Sequence, residues 1–259
     1  MVRALTTSFL IAICLSGFGQ FHSERSWAFK QVSAASSTLN TDLISYWKLD
    51  ETSGTRVDSE PTGTAQNLTD NNTVGYTNGV QSNAANLITA NSEYLSRSDS
   101  ADLSVGDISF SYSVWVNFGA TNSDKTVLCK SAAGNADEYG IDIVSGKPRF
   151  WIANGTTYRI VQTGTGVPQN AWTFIVGWHN ADDNTVNISI NNGTPTSAST
   201  SGTAPDSGGA GFRIGSYAPS YTYITAFIDE VGFWKRILTS SEITELYNSG
   251  AGKTCCPFE

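Results

Sequence analysis

The chain has 259 residues and a formal net charge of −8, with 39% hydrophobic and only 15% charged residues. Seven Trp, ten Tyr and twelve Phe exclude a disordered chain, which lacks the apolar surface needed to offset the entropy of folding. Residues 1–36 carry three basic groups (Arg3, Arg25, Lys30) and one acid (Glu24), so without them the charge deepens to −10; this disfavours nucleic acid, whose phosphates need a basic face, and is compatible with calcium.

The N-terminus reads as a secretory signal. Arg3 precedes an apolar run over residues 10–15, extended by Leu5, Phe9 and Phe18, too short to cross a bilayer as a helix. The predicted division is a signal at 1–28, with cleavage between 19 and 36, and a flexible Ser/Ala-rich leader at 29–42, which places the protein outside the cell or on its surface. No later segment reaches the roughly 18 consecutive apolar residues of a membrane span. Cys14 leaves with the signal. Cys129, Cys255 and Cys256 remain, an odd number that leaves open a bridge from Cys129 to the tail, an intermolecular bond, or free thiols.

From residue 43 the pattern is that of a β protein. Trp47 and Leu49 share a face ahead of a polar turn at Gly54, and Gly75, Asn78 and Gly79 punctuate a polar stretch. Residues 94–97 form a short strand. Ile108, Phe110, Tyr112, Val114 and Val116 alternate without a break, the clearest strand of the chain. Strands at 126–130 and 139–144 follow, and Ser145-Gly146-Lys147 turns tightly into another at 149–153. After 158–162, the near-continuous apolar run at 171–176 reads as a strand covered on both faces. Residues 186–190 lead into Asn191-Asn192-Gly193, a hairpin turn that needs positive φ. Residues 194–211 hold one edge strand and a loop, and 212–217 a further strand.

The last stretch changes period. Phe227, Asp229, Val231 and Phe233 alternate with Ile228, Glu230, Gly232 and Trp234, which predicts a strand with those two faces. Thr239 and Glu242 then form a capping-box pattern, Ile243, Leu246 and Tyr247 repeat at helical spacing, and Gly250 provides the stop. About a dozen strands and one terminal helix predict an all-β, antiparallel two-sheet sandwich.

The residues F-I-D-E-V-G-F-W-K-R-I-L-T-S-S-E-I-T-E-L-Y resemble the closing motif of the laminin-G-like, concanavalin-A-like jelly-roll domains, with Ala226 in place of a usual Gly and Ile237 in place of a usual Ala. W-K-L-D-E at 47–51 resembles the opening of the same family, and F-S-Y-S-V-W-V its internal strand. The resemblance covers residues 43–250 and leaves 251–259 as a Cys-containing tail. It implies a jelly roll that acts as a secreted, non-catalytic module binding carbohydrate or a glycoconjugate. It also implies a structural calcium held by Asp229, with Asp58 as a second ligand. A structural or adhesive surface protein with protein partners is the alternative, and a glucanase-like hydrolase a third.

Sugar sites set aromatic faces against C–H surfaces and polar side chains against hydroxyls. Trp151, Trp178, Tyr221 and Tyr223 are the candidates for that role; Trp47, Trp115 and Trp172 are assigned to packing. For hydrolysis, paired carboxyls about 5–5.5 Å apart are required. The nearest approach, Glu138 and Asp142 in E-Y-G-I-D, is too widely spaced, and Asp229 and Glu230 are expected on opposite faces. His179 reads as exposed or locally bonded. Asn67, Asn71, Asn154, Asn187 and Asn192 head N-x-S/T sequons and mark expected surface.

Overall fold

The structure, a computed structural model, describes residues 37–60, 63–119, 124–134, 136–218 and 222–254. The signal at 1–28, most of the leader, Cys14, Cys255, Cys256 and the candidate Tyr221 lie outside them.

Among the described residues seventeen strands are formed, more than the sequence pattern distinguishes, because several pair over only two to four residues. In chain order they are β1 (Leu43–Trp47), β2 (Thr69–Asn71), β3 (Gly75–Asn78), β4 (Asn83–Leu87), β5 (Tyr94–Arg97) and β6 (Phe110–Phe118). Then come β7 (Lys125–Ser131), β8 (Tyr139–Val144), β9 (Lys147–Asn154), β10 (Thr157–Gln162), β11 (Trp172–Asn180) and β12 (Thr185–Ile190). The series ends with β13 (Thr196–Ser199), β14 (Gly211–Ile214), β15 (Ser216–Tyr217), β16 (Thr222–Tyr223) and β17 (Ala226–Trp234), followed by helix α1 (Ser240–Tyr247).

Two antiparallel sheets face each other, one in the order β13-β12-β11-β6-β17-β4-β3 with β1 also on β17, the other in the order β10-β9-β8-β7-β14-β5-β2. This is the predicted jelly-roll sandwich. Phe110, Tyr112, Val114, Ile188 and Phe233 from the first sheet meet Tyr139, Ile141, Phe150, Ile152 and Phe212 from the second in one buried core. Tyr112 and Phe233 stack at 4.3 Å between ring centroids. The two buried hydroxyls there are satisfied: Tyr112 and Tyr139 bond at 2.7 Å, and Tyr139 donates to the Leu103 carbonyl.

A second apolar layer lies on the outer face of the first sheet, where α1 sets Ile243, Leu246 and Tyr247 over Trp115, Phe174 and Trp234. The double coverage of β11 follows from this: Ile175 enters the core and Phe174 and Val176 enter the outer layer. The capping box is formed, with Thr239 accepting from the Glu242 amide and Glu242 accepting from the Thr239 amide. The helix stops earlier than the sequence predicts. Asn248, at φ 46°, takes the left-handed cap expected of Gly250, a conformation Asn tolerates because its side chain bonds locally.

The predicted faces of β17 are also corrected. The register on β6 shifts between Asp229 and Gly232, with Glu230 at φ 48°. One extra residue in a bulge reverses the alternation beyond it. Ile228, Val231 and Phe233 therefore share the core, whereas Asp229 and Glu230 both meet the outer side, where Val80 and Tyr46 lie.

Residues 37–42, within the stretch assigned to the leader, are folded. Thr38–Asn40 form a 3-10 turn, Leu39 is fully buried, and its carbonyl accepts from the Trp234 indole at 2.7 Å. His179 is buried, with Nδ1 3.0 Å from the Ile108 carbonyl, and burial pushes its pKa down. Among the sequons, Asn154 and Asn192 are exposed but Asn187 is buried and bonds Thr185 and Ser197, which removes it from the expected surface.

Cys129 is a free, fully buried thiol beside Ser131 and the Ser216 carbonyl. Burial pushes its pKa up to about 12. A thiol held neutral and out of solvent does not react. Peptide mapping after brief iodoacetamide treatment is therefore expected to find Cys129 unlabelled in the native protein and labelled in guanidinium; native labelling at rates near those of a free cysteine would contradict its burial.

Candidate functional site

Alternation along β8, β9 and β10 sends every second residue away from the core. Asp142 pairs across the ladder with Arg149, Gly140 with Trp151, and Trp151 with Ile160. Of these, Asp142, Arg149, Trp151 and Ile160, with Tyr158 and, from the β15–β16 hairpin, Tyr217 and Thr222, line a pocket of about 390 Å³ on the second sheet. Asp124, Lys125 and Thr126 close its other end. That volume lies at the small end of the range typical of ligand sites, roughly 300–1,000 Å³.

The floor is Trp151. Gly140 makes room for it, since a Cβ there would sit 2.5 Å from the indole. Trp151 is only 2% exposed, packed with Cys129, Ala153 and Tyr217 and edge-on to Tyr158. Its ring face is thus not free for a sugar to stack on, contrary to the sequence expectation. The indole is sunk into the sheet, with Nε1–H shielded from solvent and hydrogen-bonding to Asp142. The exposed aromatic wall is Tyr158, which the sequence did not single out. Its hydroxyl bonds Asp137, as does that of Tyr217 at 2.6 Å, so one buried carboxylate orients both rings.

Arg149 donates to Asp142 through Nε at 3.1 Å and Nη2 at 2.9 Å, both to Oδ2. The buried carboxylate also takes side-chain hydrogen bonds from Thr126 and Trp151. Burial pushes the Asp142 pKa up, opposed first by the charge of Arg149 and less by Thr126 and Trp151.

The remaining candidates are not gathered here. Trp178 lies on β11 in the other sheet, half-buried against the layer under α1, so it cannot share a site with Trp151. Tyr223 is on the same sheet face as the pocket but packs against Tyr94, 5.9 Å between centroids, with Arg213 over the Tyr94 ring. Only cross-strand register could have disclosed the actual lining, because Asp142, Arg149 and Tyr158 are unremarkable in the linear chain.

The family model described as the concanavalin A-like lectin/glucanases superfamily matches residues 89–244. The chain belongs to that superfamily. A search of curated protein sequences gives no match. Among solved structures, this superfamily member resembles the binding domain of Paraclostridial Mosquitocidal Protein 1, with a TM-score of 0.68 and 14% identity over 82% of this chain and 53% of that one. It resembles domain 4 of AbnA, an extracellular GH43 arabinanase from Geobacillus stearothermophilus, solved with arabinotriose, with a TM-score of 0.62 and 18% identity over 82% of this chain and 98% of the domain. It also resembles the binding domain of botulinum neurotoxin DC in complex with SialylT, with a TM-score of 0.61 and 13% identity over 82% of this chain and 52% of that one. The chain thus spans about half of the toxin domains and nearly all of the arabinanase domain. At these identities the likeness is one of fold.

In this superfamily member the two carboxylates nearest to a glucanase pattern are both committed elsewhere. Glu138 is buried in an ion pair with Lys130, which also donates to Asp99 at 2.9 Å, and Asp142 is held by Arg149. Trp151 lies over the Gly140 position between them.

The predicted metal residues separate as well. Asp58 accepts from the amides of Tyr46 and Glu60 on Oδ1 and of Gln66 on Oδ2, at 2.9–3.1 Å. Three N–H donors thus hold the Asp58 carboxylate within its own loop. Asp229 differs. Its Oδ2 accepts from Val80 and Gln81, the Glu230 amide also donates to the carboxylate, and the carbonyls of Gln81 and Asn83 lie close by. Gly79 is obligatory beside it, since a Cβ there would lie within 2.4–2.7 Å of Asp229 Oδ2 and the carbonyls of Asn83 and Gln81. Burial, with the nearby charge of Asp50, pushes Asp229 up to about 7; burial and the charge of Asp229 push Glu230 up to about 8. Among the described residues no three His, Cys, Asp or Glu side chains converge as a metal set. Carboxylate and carbonyl oxygens are nonetheless the donors that calcium takes, so the residues fit that ion.

Proposed function

We propose that this protein is a non-catalytic glycan-binding module exported from the cell, whose site is the pocket on the second sheet. The observation that carries this is the lining itself: an exposed tyrosine wall and a buried indole beside paired donors and acceptors, on a rigid sheet that already satisfies its own backbone. That combination suits a ligand with apolar C–H faces and many hydroxyls. The sugar complexes among similar structures support the reading, and the apolar run at residues 10–15 supports export. Commitment of Glu138 and Asp142 to their cations argues against a hydrolytic step.

Within the same proposal, calcium is held by the Asp229 carboxylate with carbonyls of the 79–83 loop. When bound it supplies a fixed positive charge that keeps Asp229 and Glu230 ionised. Asp229 itself anchors the loop to β17 through the Val80 and Gln81 amides.

A glycan array probed with the full chain, with and without EDTA, tests the function. Oligosaccharide binding is expected, and Tyr158→Ala is expected to weaken it about three- to tenfold, the ~0.5–1.5 kcal/mol associated with an aromatic contact. No sugar bound in either metal state discards the reading.

A further inference from the structure

The tyrosine wall of the pocket is assembled from two elements that share no ladder. Tyr158 stands on β10, the end strand of the second sheet, and Tyr217 on the β15–β16 hairpin, which forms a two-stranded sheet of its own. Backbone hydrogen bonds therefore do not fix the spacing of the two rings; side chains must. Both phenols donate to Oδ2 of Asp137, Tyr217 at 2.6 Å, and their own oxygens lie 3.1 Å apart. Asp137 sits in the connection just ahead of β8, is 3% exposed and does not line the pocket.

Packing alone does not hold both rings. Tyr217 rests on Trp151, Cys129 and Ala153, whereas Tyr158 is 37% exposed and meets Trp151 edge-on. An exposed ring on an end strand loses rotamer freedom when a ligand lies against it, and that loss opposes binding. A carboxylate that already holds the hydroxyl removes much of the loss beforehand, through bonds strengthened by its charge. Burial, and then donation to Asp137, push both phenols up, Tyr158 to about 12, so both stay protonated donors at neutral pH.

Resting on the glycan reading above, we infer that Asp137 is a positioning residue of the pocket. It fixes Tyr158, and the hairpin that carries Tyr217 and Thr222, in the arrangement that receives the sugar, and it does so without touching the ligand. Affinity then depends on a carboxylate outside the pocket.

Isothermal titration of the full chain with arabinotriose, maltotriose and sialyllactose tests this. For the probes that wild type binds, Asp137→Ala is expected to weaken binding about fivefold, the loss of one preorganised aromatic contact. Asp137→Asn, whose amide oxygen still accepts from both phenols, is expected to keep affinity within about twofold of wild type. In a Tyr158→Phe/Tyr217→Phe background no phenol is left to hold, so Asp137→Ala is expected to change affinity by less than about twofold. A purely structural effect of Asp137 would appear in both backgrounds, and that result overturns the proposal. Where Asp137→Ala impairs folding, the Tyr158→Phe/Tyr217→Phe protein carries the test, since it removes only the two clamped hydroxyls; it is expected to bind about fivefold more weakly. Wild-type affinity in that protein, or in folded Asp137→Ala, overturns the clamp and leaves the glycan function intact. Failure of wild type to bind any probe overturns the glycan reading and the role of Asp137 with it.

Discussion

Replacing Arg236 by alanine is expected to destabilise the domain by about 3 kcal/mol, a fall of roughly 6–12 °C in melting temperature for a chain of this size. Arg236 reaches Glu242 through Nη1 and Nη2, both at 2.7 Å, and donates to the carbonyls of Thr38 and Thr41. Glu242 is only 3% exposed, and it also closes the capping box and accepts from the Thr38 hydroxyl. One ion pair therefore ties the start of the domain, the end of β17 and the first turn of α1. Removing the cation leaves a carboxylate buried without its countercharge, which is the costly way to break such a pair.

The same contact sets an acid limit. Burial raises the Glu242 pKa, but the hydrogen bonds from Arg236, Thr38 and Thr239 overcome it and hold the group down to about 2. A folded pKa below the unfolded value of 4.5 contributes stability that is complete above about pH 4.5 and is lost as pH falls through about 2. Urea titrations between pH 2 and 7 should show wild type losing that increment on acidification and Arg236→Ala losing much less. Equal stability of the two proteins at pH 7 would show that the clamp is ornamental.

Asp229→Ala is expected to cost about 2–4 kcal/mol, because it leaves the Val80 and Gln81 amides of a part-buried loop without their acceptor. The calcium proposal adds a separate signature. Ligand binding at a hundredfold excess over its dissociation constant stabilises by about 2.7 kcal/mol, so EDTA should lower the wild-type melting temperature by about 5–10 °C and added calcium should restore it. Asp229→Ala should melt at one temperature in both conditions. A wild-type protein shown by elemental analysis to carry calcium, yet melting identically in EDTA, would remove the structural role. Asp229→Asn separates the two effects, since an amide oxygen can still accept from the loop but binds the ion more weakly.

The elements that were legible in the sequence are those set by neighbours in the chain. The capping box at Thr239 and Glu242, the Asn191-Asn192 turn (φ 49° and 58°) and the Ser145-Gly146 turn (φ 52° and 73°) all form as local chemistry dictates. Alternation over 108–116 likewise identified a strand, formed at Phe110–Phe118 in the middle of a sheet. The bulge at Asp229–Glu230 was not legible, because a non-glycine residue at positive φ gives no signal in composition. It is imposed by packing on β6 and β1, and it alone moves both acids to the outer side.

The candidate site divides along the same line. Trp151 could be named from its residue type, but its role inverted: Gly140, eleven residues earlier, lets the indole sink into the sheet, so its face is not free for a ligand. Trp178 carries the same residue type and lies across the sandwich. Asp142 drew notice only as half of a carboxylate pair, and its true partner is Arg149 on the next strand.

The sequence by itself determined the class of fold and several of its turns, because periodicity, caps and positive-φ residues act over a few neighbouring residues. Only the tertiary structure decided which side chains meet. Register between strands and the burial it imposes are long-range properties, and they place Trp151, the Asp142–Arg149 pair and a tyrosine wall in one pocket while setting Asp229 against the Val80 and Gln81 amides on the opposite sheet.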